Sequence, residues 1–439
     1  MHSSKQRPEL VYFIIIMIFG IASVFLTFPL ANGDEGYHLS ACYNIFSSNH
    51  PKSMENQTVR NLEYQAINLD EKMEQFDVEG FNKKVLKDVE SDGISLDLQK
   101  DPNITAKVDI AHLPGAIGVL IGRVIYPSYG MMLYCSRISS LLFFAILMSL
   151  LIKKSRDGKW SLFLMFSIPC MQKLASPSYD IFSYVSLAVF FVNIIDLAKV
   201  QSIRDLKIKD YLYTLFTIVL LLFSKRNYIF ALVLIVFLPM ITDPIYKWIK
   251  ESNVKKIFCI VLSGTVVIVS ILFLNEKLNL ILFAKIFIKN YLNTATMGRR
   301  AKTMFTVVPT ILPELFNLLW MFTTFLIFMT EKPFKWKSTF AVGCSIVFLI
   351  NWVGIYTGFY ISYKSQAINF DELHGRYLHP YIICFLPLLQ KFGAANNLKI
   401  SKNTCEILSV VTCTIIFSAY LVVCYYRGYV LHVTPTWLS

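Results

Sequence analysis

Apolar runs of about 20 residues recur along this chain, and a run of that length leaves a soluble helix no polar face to turn to water. The first covers 10–30, after Lys5 and Arg7. Others fall near 131–152, 160–174, 178–197, 210–224, 227–243, 257–275, 307–329, 338–358, 377–390 and 404–426. About eleven transmembrane helices are therefore expected, in an all-α polytopic membrane protein. Composition supports that class: 55% of residues are apolar and 16% charged, against roughly 25% charged in soluble domains. A soluble enzyme, a disordered chain and a disulfide scaffold are excluded. The run at 10–30 lacks a small-residue cleavage site, so it reads as a retained helix. The nine cysteines show no CxxC and no Cys/His metal spacing, and read as small apolar filler.

The net charge of +13 is unevenly spread. Residues 31–113 hold 15 acidic and 8 basic side chains, so the excess of cations lies elsewhere, in short clusters between apolar runs. These are Lys153, Lys154, Arg156 and Lys159; Lys199, Arg204, Lys207 and Lys209; Lys247, Lys250, Lys255 and Lys256; Lys332, Lys335 and Lys337; and Lys391, Lys399 and Lys402. By the positive-inside rule they and the N-terminus are cytoplasmic. The segments 31–113, 276–306 and 359–376 are then extracytoplasmic. The basic residues thus report topology, and nucleic acid is not an expected partner. Three parts follow: a first transmembrane helix at 1–30, an extracytoplasmic loop with interfacial helices at 31–126, and a helical bundle at 127–439. The loop has a mostly helical pattern, starting with 34–46. After Pro114, the run 115–126 is too short to span and is expected to lie in the outer interface.

Chemistry-bearing residues collect beside the outer ends of the spans. Asn32-Gly33-Asp34-Glu35-Gly36-Tyr37-His38 follows the first span directly, and Asp34 and His38 share a helical face. A carboxylate held at that height can take a proton from a hydroxyl; equally, Asp34 can cap a helix and Glu35 complement its dipole. Cations on this side run against the topology rule: Lys225 and Arg226 in a short turn, Arg376 in His374-Gly375-Arg376-Tyr377, and Arg299, Arg300 and Lys302. Arginine and lysine at headgroup depth bind phosphate, or snorkel to ordinary lipid. Ser176-Pro177-Ser178-Tyr179-Asp180 places a carboxylate at the start of a span, either as a site residue or as a dipole partner. His112 and His379 read as satisfied polar residues, and Asp371 and Glu372 as solvated.

An acidic pair after the first span, a long first outer loop with a short interfacial helix, and many following spans resemble the GT-C superfamily of membrane glycosyltransferases. Asp34-Glu35-x-x-His38, the Pro114 helix, Ser176-x-Ser178-x-Asp180, Lys225 and Gly375-Arg376-Tyr377 are similar to the bacterial family labelled domain of unknown function 2142. The resemblance implies a multi-pass protein of the bacterial cell membrane with an extracytoplasmic active site. Its donor is a polyprenyl-phosphate-linked sugar, and its acceptor an extracytoplasmic glycan or lipid. Asp34 is implied as general base with Glu35 beside it, and His38, Asp180, Lys225, Arg226, Arg376 and Tyr377 as substrate-binding residues. No cofactor is required, although Asp34, His38 and Asp180 together can hold a divalent metal. A polyprenyl-linked glycan flippase or transporter, and a polysaccharide polymerase or ligase, are the alternatives.

Overall fold

The structure is a computed structural model, and it describes residues 7–27, 35–45, 109–125, 129–291, 307–309, 311–363 and 375–431. Every regular element among them is helical. The α-helices that matter most for the site are α1 (Pro8–Leu26), α2 (Glu35–Ile45), α3 (Leu113–Ile125), α4 (Tyr129–Lys154) and α5 (Lys159–Met165). After them come α6 (Tyr179–Leu197), α7 (Ile208–Leu222), α8 (Pro239–Lys250), α9 (Asn253–Leu278) and α10 (Leu280–Tyr291). The chain continues through α11 (Glu314–Thr330), α12 (Ser338–Tyr363), α13 (Leu386–Ala395) and α14 (Lys402–Tyr425). Stretches of 3-10 helix at Ile110–His112, Ile168–Lys173, Arg226–Phe237, Gly375–Tyr377 and His379–Phe385 join or replace α-helix.

Local chemistry explains the boundaries. α1 opens on Pro8, whose missing N–H falls where no intrahelical acceptor exists. Ser178 and Ser401 cap α6 and α14 with side-chain oxygens. α5 starts after Gly158, which holds a left-handed φ of 67° that a side chain would strain. Its first N–H groups are received by a buried carboxylate: Glu331 accepts from Trp160 N at 2.8 Å, Ser161 N at 2.9 Å and Ser161 Oγ at 2.8 Å.

Five helices are long and apolar enough to cross a bilayer: Pro8–Leu26, Gly130–Lys154, Tyr179–Leu197, Ser338–Ile361 and Lys402–Val430. A sixth is added if Arg226–Phe237 and α8, bent by 53° at their junction, count as one span. The expected eleven full-length spans are therefore not seen among the described residues. Helix does form at the other expected positions, but much of it is short or broken. The run at 160–174 becomes α5 and a 3-10 turn, and that at 377–390 a 3-10 segment running into α13. Residues of α5 and Ile168–Lys173 are almost all buried, so neighbouring protein rather than lipid surrounds them.

The basic clusters assemble at one end of the bundle, as their separation from the acidic segment predicts. Lys199 pairs with Asp157, which Lys332 also approaches at 3.9 Å; Lys337 pairs with Asp243, and Lys391 Nζ donates to Trp336 O at 3.1 Å. α2, α3 and the starts of α4 and α6 gather at the opposite end. There α3 begins with the expected proline at its second position and lies tightly on α4. A Cβ on Gly122 would stand 2.8 Å from Met131 O, and one on Gly118 would collide with the Cys135 carbonyl. The rest of the acidic loop, 46–108, lies outside the described residues.

Candidate active site

The Ser176-Pro177-Ser178 turn fixes the first charged pair. Ser178 Oγ accepts the Asp180 N–H at 3.2 Å, which starts α6 with Asp180 in its first turn and 2% exposed. A buried carboxylate needs a partner, and the turn after α7 provides one. Lys225 Nζ donates to Asp180 Oδ1 at 2.7 Å, and the Lys225 N–H donates to Ser183 Oγ at 3.0 Å. Burial alone would draw Lys225 toward its neutral form; Asp180 outweighs it, and the ammonium is held above its usual value. Its Nζ lies 4.0 Å from the Tyr377 ring centre and 5.3 Å from that of Tyr179.

Lys225, Tyr179 and Tyr377 line a cavity of about 610 Å³, and Asp180 lies behind Lys225 outside that lining. Its polar lining includes Tyr37, Asp109, His112, Lys225, Arg226 and Asn227, and its apolar lining Phe230, Ile355, Gly358 and Phe359. Arg226 is exposed there and makes no hydrogen bond or ion pair among the described residues. Asn227 Nδ2 donates to Asn351 Oδ1 at 3.1 Å, and Asn351 Nδ2 to Tyr377 O at 3.4 Å, so α12 and the Gly375–Tyr377 turn are tied to the cationic turn.

The expected site residues divide four ways. Asp180, Lys225, Arg226 and Tyr377 are brought together. His38 is adjacent but buried behind the wall, its Nδ1 2.9 Å from His112 Nε2 and its Nε2 3.1 Å from Ser178 Oγ. Arg376 is half-buried with its guanidinium carbon 5.5 Å from the Tyr377 ring centre; it does not line the cavity, although its charge reaches Asp180. Glu35 stands apart. Its carboxylate is fully buried against Arg137, with Nε–Oε1 and Nη2–Oε2 both 2.8 Å, and it is not among the residues lining the cavity. Asp34, Arg299, Arg300, Lys302, Asp371 and Glu372 lie outside the described residues.

A metal held by Asp34, His38 and Asp180 meets an obstacle in the donors themselves. Both His38 nitrogens have hydrogen-bonding neighbours, and Asp180 is bound to Lys225. Among the described residues no three His, Cys, Asp or Glu side chains cluster in a way that could hold an ion.

A family model described as a predicted membrane protein family, DUF2142, matches residues 17–340. The chain belongs to the DUF2142 family. Searches of curated proteins and of solved structures give no match. The DUF2142 match takes in α2, the Ser176–Asp180 turn and the Lys225–Arg226 turn, and ends before Gly375-Arg376-Tyr377. Within this DUF2142 chain, sequence reasoning missed Asp109, Tyr37 and Arg137, and weighed His112 as merely satisfied. Arg137 did carry a signal, since a lone cation inside an apolar run demands a partner.

Proposed function

We propose that this protein is a membrane glycosyltransferase of the GT-C kind, moving a sugar from a polyprenyl-phosphate donor to an extracytoplasmic glycan or lipid acceptor. The observation that carries this reading is the mixed lining of the cavity, cationic, polar and apolar. Lys225 and the uncommitted Arg226 offer cationic donors to a phosphate, Tyr37, Tyr179 and Asp109 suit a sugar, and the Phe230–Ile355–Phe359 side suits an isoprenoid chain. Topology follows the positive-inside expectation, with the cavity outside and the basic end in the cytoplasm of a bacterial cell membrane. Eleven crossings remain part of this reading, the short elements pairing end to end where protein shields them.

In the reaction, the acceptor hydroxyl attacks the anomeric carbon while the bond to the phosphate oxygen breaks. Asp34 takes the hydroxyl proton, and the polyprenyl phosphate leaves with the bonding electron pair, stabilised by Lys225 and Arg226. Preorganised cations act most strongly where charge grows during the step.

A transporter of lipid-linked glycans is the second reading, favoured by the 53° break at Leu238, since broken helices line transport sites. One assay separates them. Purified protein in liposomes is given a panel of polyprenyl-phosphate hexoses with candidate acceptors. The transferase reading requires release of polyprenyl phosphate and transfer of the hexose, lost by 10²-fold or more in Asp34→Asn, within the usual value of a general base. Movement of intact donor across the bilayer without cleavage would overturn it in favour of transport.

A further inference from the structure

Ser178, His38 and His112 form one hydrogen-bonded line that ends at the cavity, and with Ser178 as the donor at its far end every proton position follows. Ser178 Oγ accepts the Asp180 N–H as the cap of α6. A serine hydroxyl has a single proton to give, and His38 Nε2 is 3.1 Å away. Giving it there leaves the His38 proton on Nδ1, from which it is donated to His112 Nε2 at 2.9 Å. The His112 proton is then on Nδ1. That nitrogen is buried and has no hydrogen-bond partner among the described residues, in a side chain that is 2% exposed and lines the cavity. A buried donor without an acceptor is costly, so a ligand oxygen is the natural complement.

The surroundings select the kind of oxygen. Burial holds His112 down to about 4, while Asp109 and Asp180 push it upward. His38 is also well below its usual value, through burial first, then His112 and Lys173, with Asp180 opposing and Lys225 adding to the fall. Both rings are therefore neutral at ordinary pH, and anion binding is left to the cations. Asp109 stands three residues before His112 and also lines the cavity; among the described residues its Oδ1 accepts the Ala111 N–H at 3.3 Å, and no bond is made by Oδ2. A neutral donor and a carboxylate oxygen on one turn match a hydroxyl, which accepts and donates at once. Tyr37 and Tyr179 flank His112 edge-on at 6.3 and 5.4 Å between ring centres, and both face the cavity.

We propose that His112 Nδ1–H and the Asp109 carboxylate form a sugar-hydroxyl subsite, with His38 and Ser178 as the positioning residues that fix the His112 tautomer. The identity of the ligand as a sugar rests on the transferase reading; the tautomer does not.

Two measurements on the full chain test this. In protein carrying ¹⁵N-histidine, His112 should be neutral with its proton on Nδ1 from pH 6 to 8, and Ser178→Ala should mix its tautomers. A His112 protonated on Nε2, or titrating near 6.5, would overturn the subsite whatever the ligand. The second measurement is the affinity for farnesyl-phosphate hexoses, their monodeoxy analogues and farnesyl phosphate itself. One deoxy analogue should bind the native protein about tenfold more weakly than its parent, a typical worth of one hydrogen bond. His112→Phe and Asp109→Asn should each bind parent and analogue alike, with farnesyl phosphate affinity unchanged. Unaltered discrimination in both variants defeats the subsite while sparing the transferase reading; failure to bind any farnesyl-phosphate hexose, with farnesyl phosphate alone still bound, defeats both.

Discussion

Arg137 and Glu35 meet in a two-armed ion pair, 2.8 Å on each arm, with neither side chain exposed. The third guanidinium nitrogen, Nη1, donates to Val24 O at 2.8 Å and Thr27 O at 2.9 Å. One side chain on α4 thereby joins the carbonyl end of α1, where a cation complements the helix dipole, to the start of α2. Removing one partner strands the other charge, at a cost of about 3–5 kcal/mol. Glu35→Gln and Arg137→Met should each lower the thermal midpoint in detergent sharply. The double variant Glu35→Leu/Arg137→Met should recover a large part of the loss and retain whatever turnover the native protein has. A double variant that is stable but inert would return Glu35 to the chemistry.

Arg226 lines the cavity, whereas Arg376, 5.5 Å from the Tyr377 ring centre, does not. Arg226→Ala should weaken binding of farnesyl phosphate by about tenfold, the scale of one exposed charge-assisted contact. Arg376→Lys, which keeps the charge beside Tyr377, should change that affinity much less. The check is a pair of binding isotherms in membranes of fixed lipid composition. The reverse order would move the phosphate to Arg376.

Gly354 and Gly358 are four apart on α12 but stand in different surroundings. A Cβ on Gly354 would press on the Phe230 ring, whereas one on Gly358 meets nothing within 4 Å among the described residues. Gly358→Leu should therefore fill cavity space without loss of thermal stability, and should abolish ligand binding and turnover. Gly354→Leu should unfold the contact with Phe230 first, since overpacking costs about 1–3 kcal/mol or more. A Gly358→Leu protein that binds ligand normally would show that this side of the cavity stays empty.

Acid should loosen α2. His112, held down to about 4 by burial, and His38, also depressed, are neutral in the fold. Below roughly pH 6.5 the unfolded chain takes up protons more readily than the folded one, so stability rises with pH through this window. It is complete above pH 6.5 and falls progressively toward pH 4. The thermal midpoint should drop between pH 7 and pH 5, and the drop should flatten in His112→Gln. A pH-independent midpoint over this range would contradict buried neutral imidazoles here.

Much of the molecule was legible because lipid imposes simple rules. Long apolar runs gave helices, and the clustering of Lys153–Lys159, Lys199 and Lys332–Lys337 correctly foretold that distant segments share one end. Caps were legible too: Ser178 and Pro114 sit where the sequence put them. Pairings were not. Asp180 and Lys225 were each singled out, yet nothing in their spacing of 45 residues says that they touch. Glu35 read as reactive because its Arg137 partner is 102 residues away inside an apolar run. Span lengths were not legible for a related reason: hydropathy measures a segment's own surface, whereas α5 and Ile168–Lys173 are short and covered by neighbouring protein.

The twelve residues Arg226–Phe237 are wound as 3-10 helix, well beyond the three or four at which such runs usually stop. At about 2.0 Å per residue they reach roughly 24 Å, where α-helix would reach about 18 Å. Glycines on α12 receive the segment at both ends, Gly354 under Phe230 and Gly343 under Phe237, while Tyr381 Oη donates to Asn227 O at 3.0 Å. The segment is thus a stretched strut, pinned along its length. Were it to relax into α-helix, its ends would close by about 6 Å, more than enough to part Lys225 from Asp180. The height at which the cationic turn stands is set by the pitch of a coil, so a substitution far down that coil can move the charges without touching them.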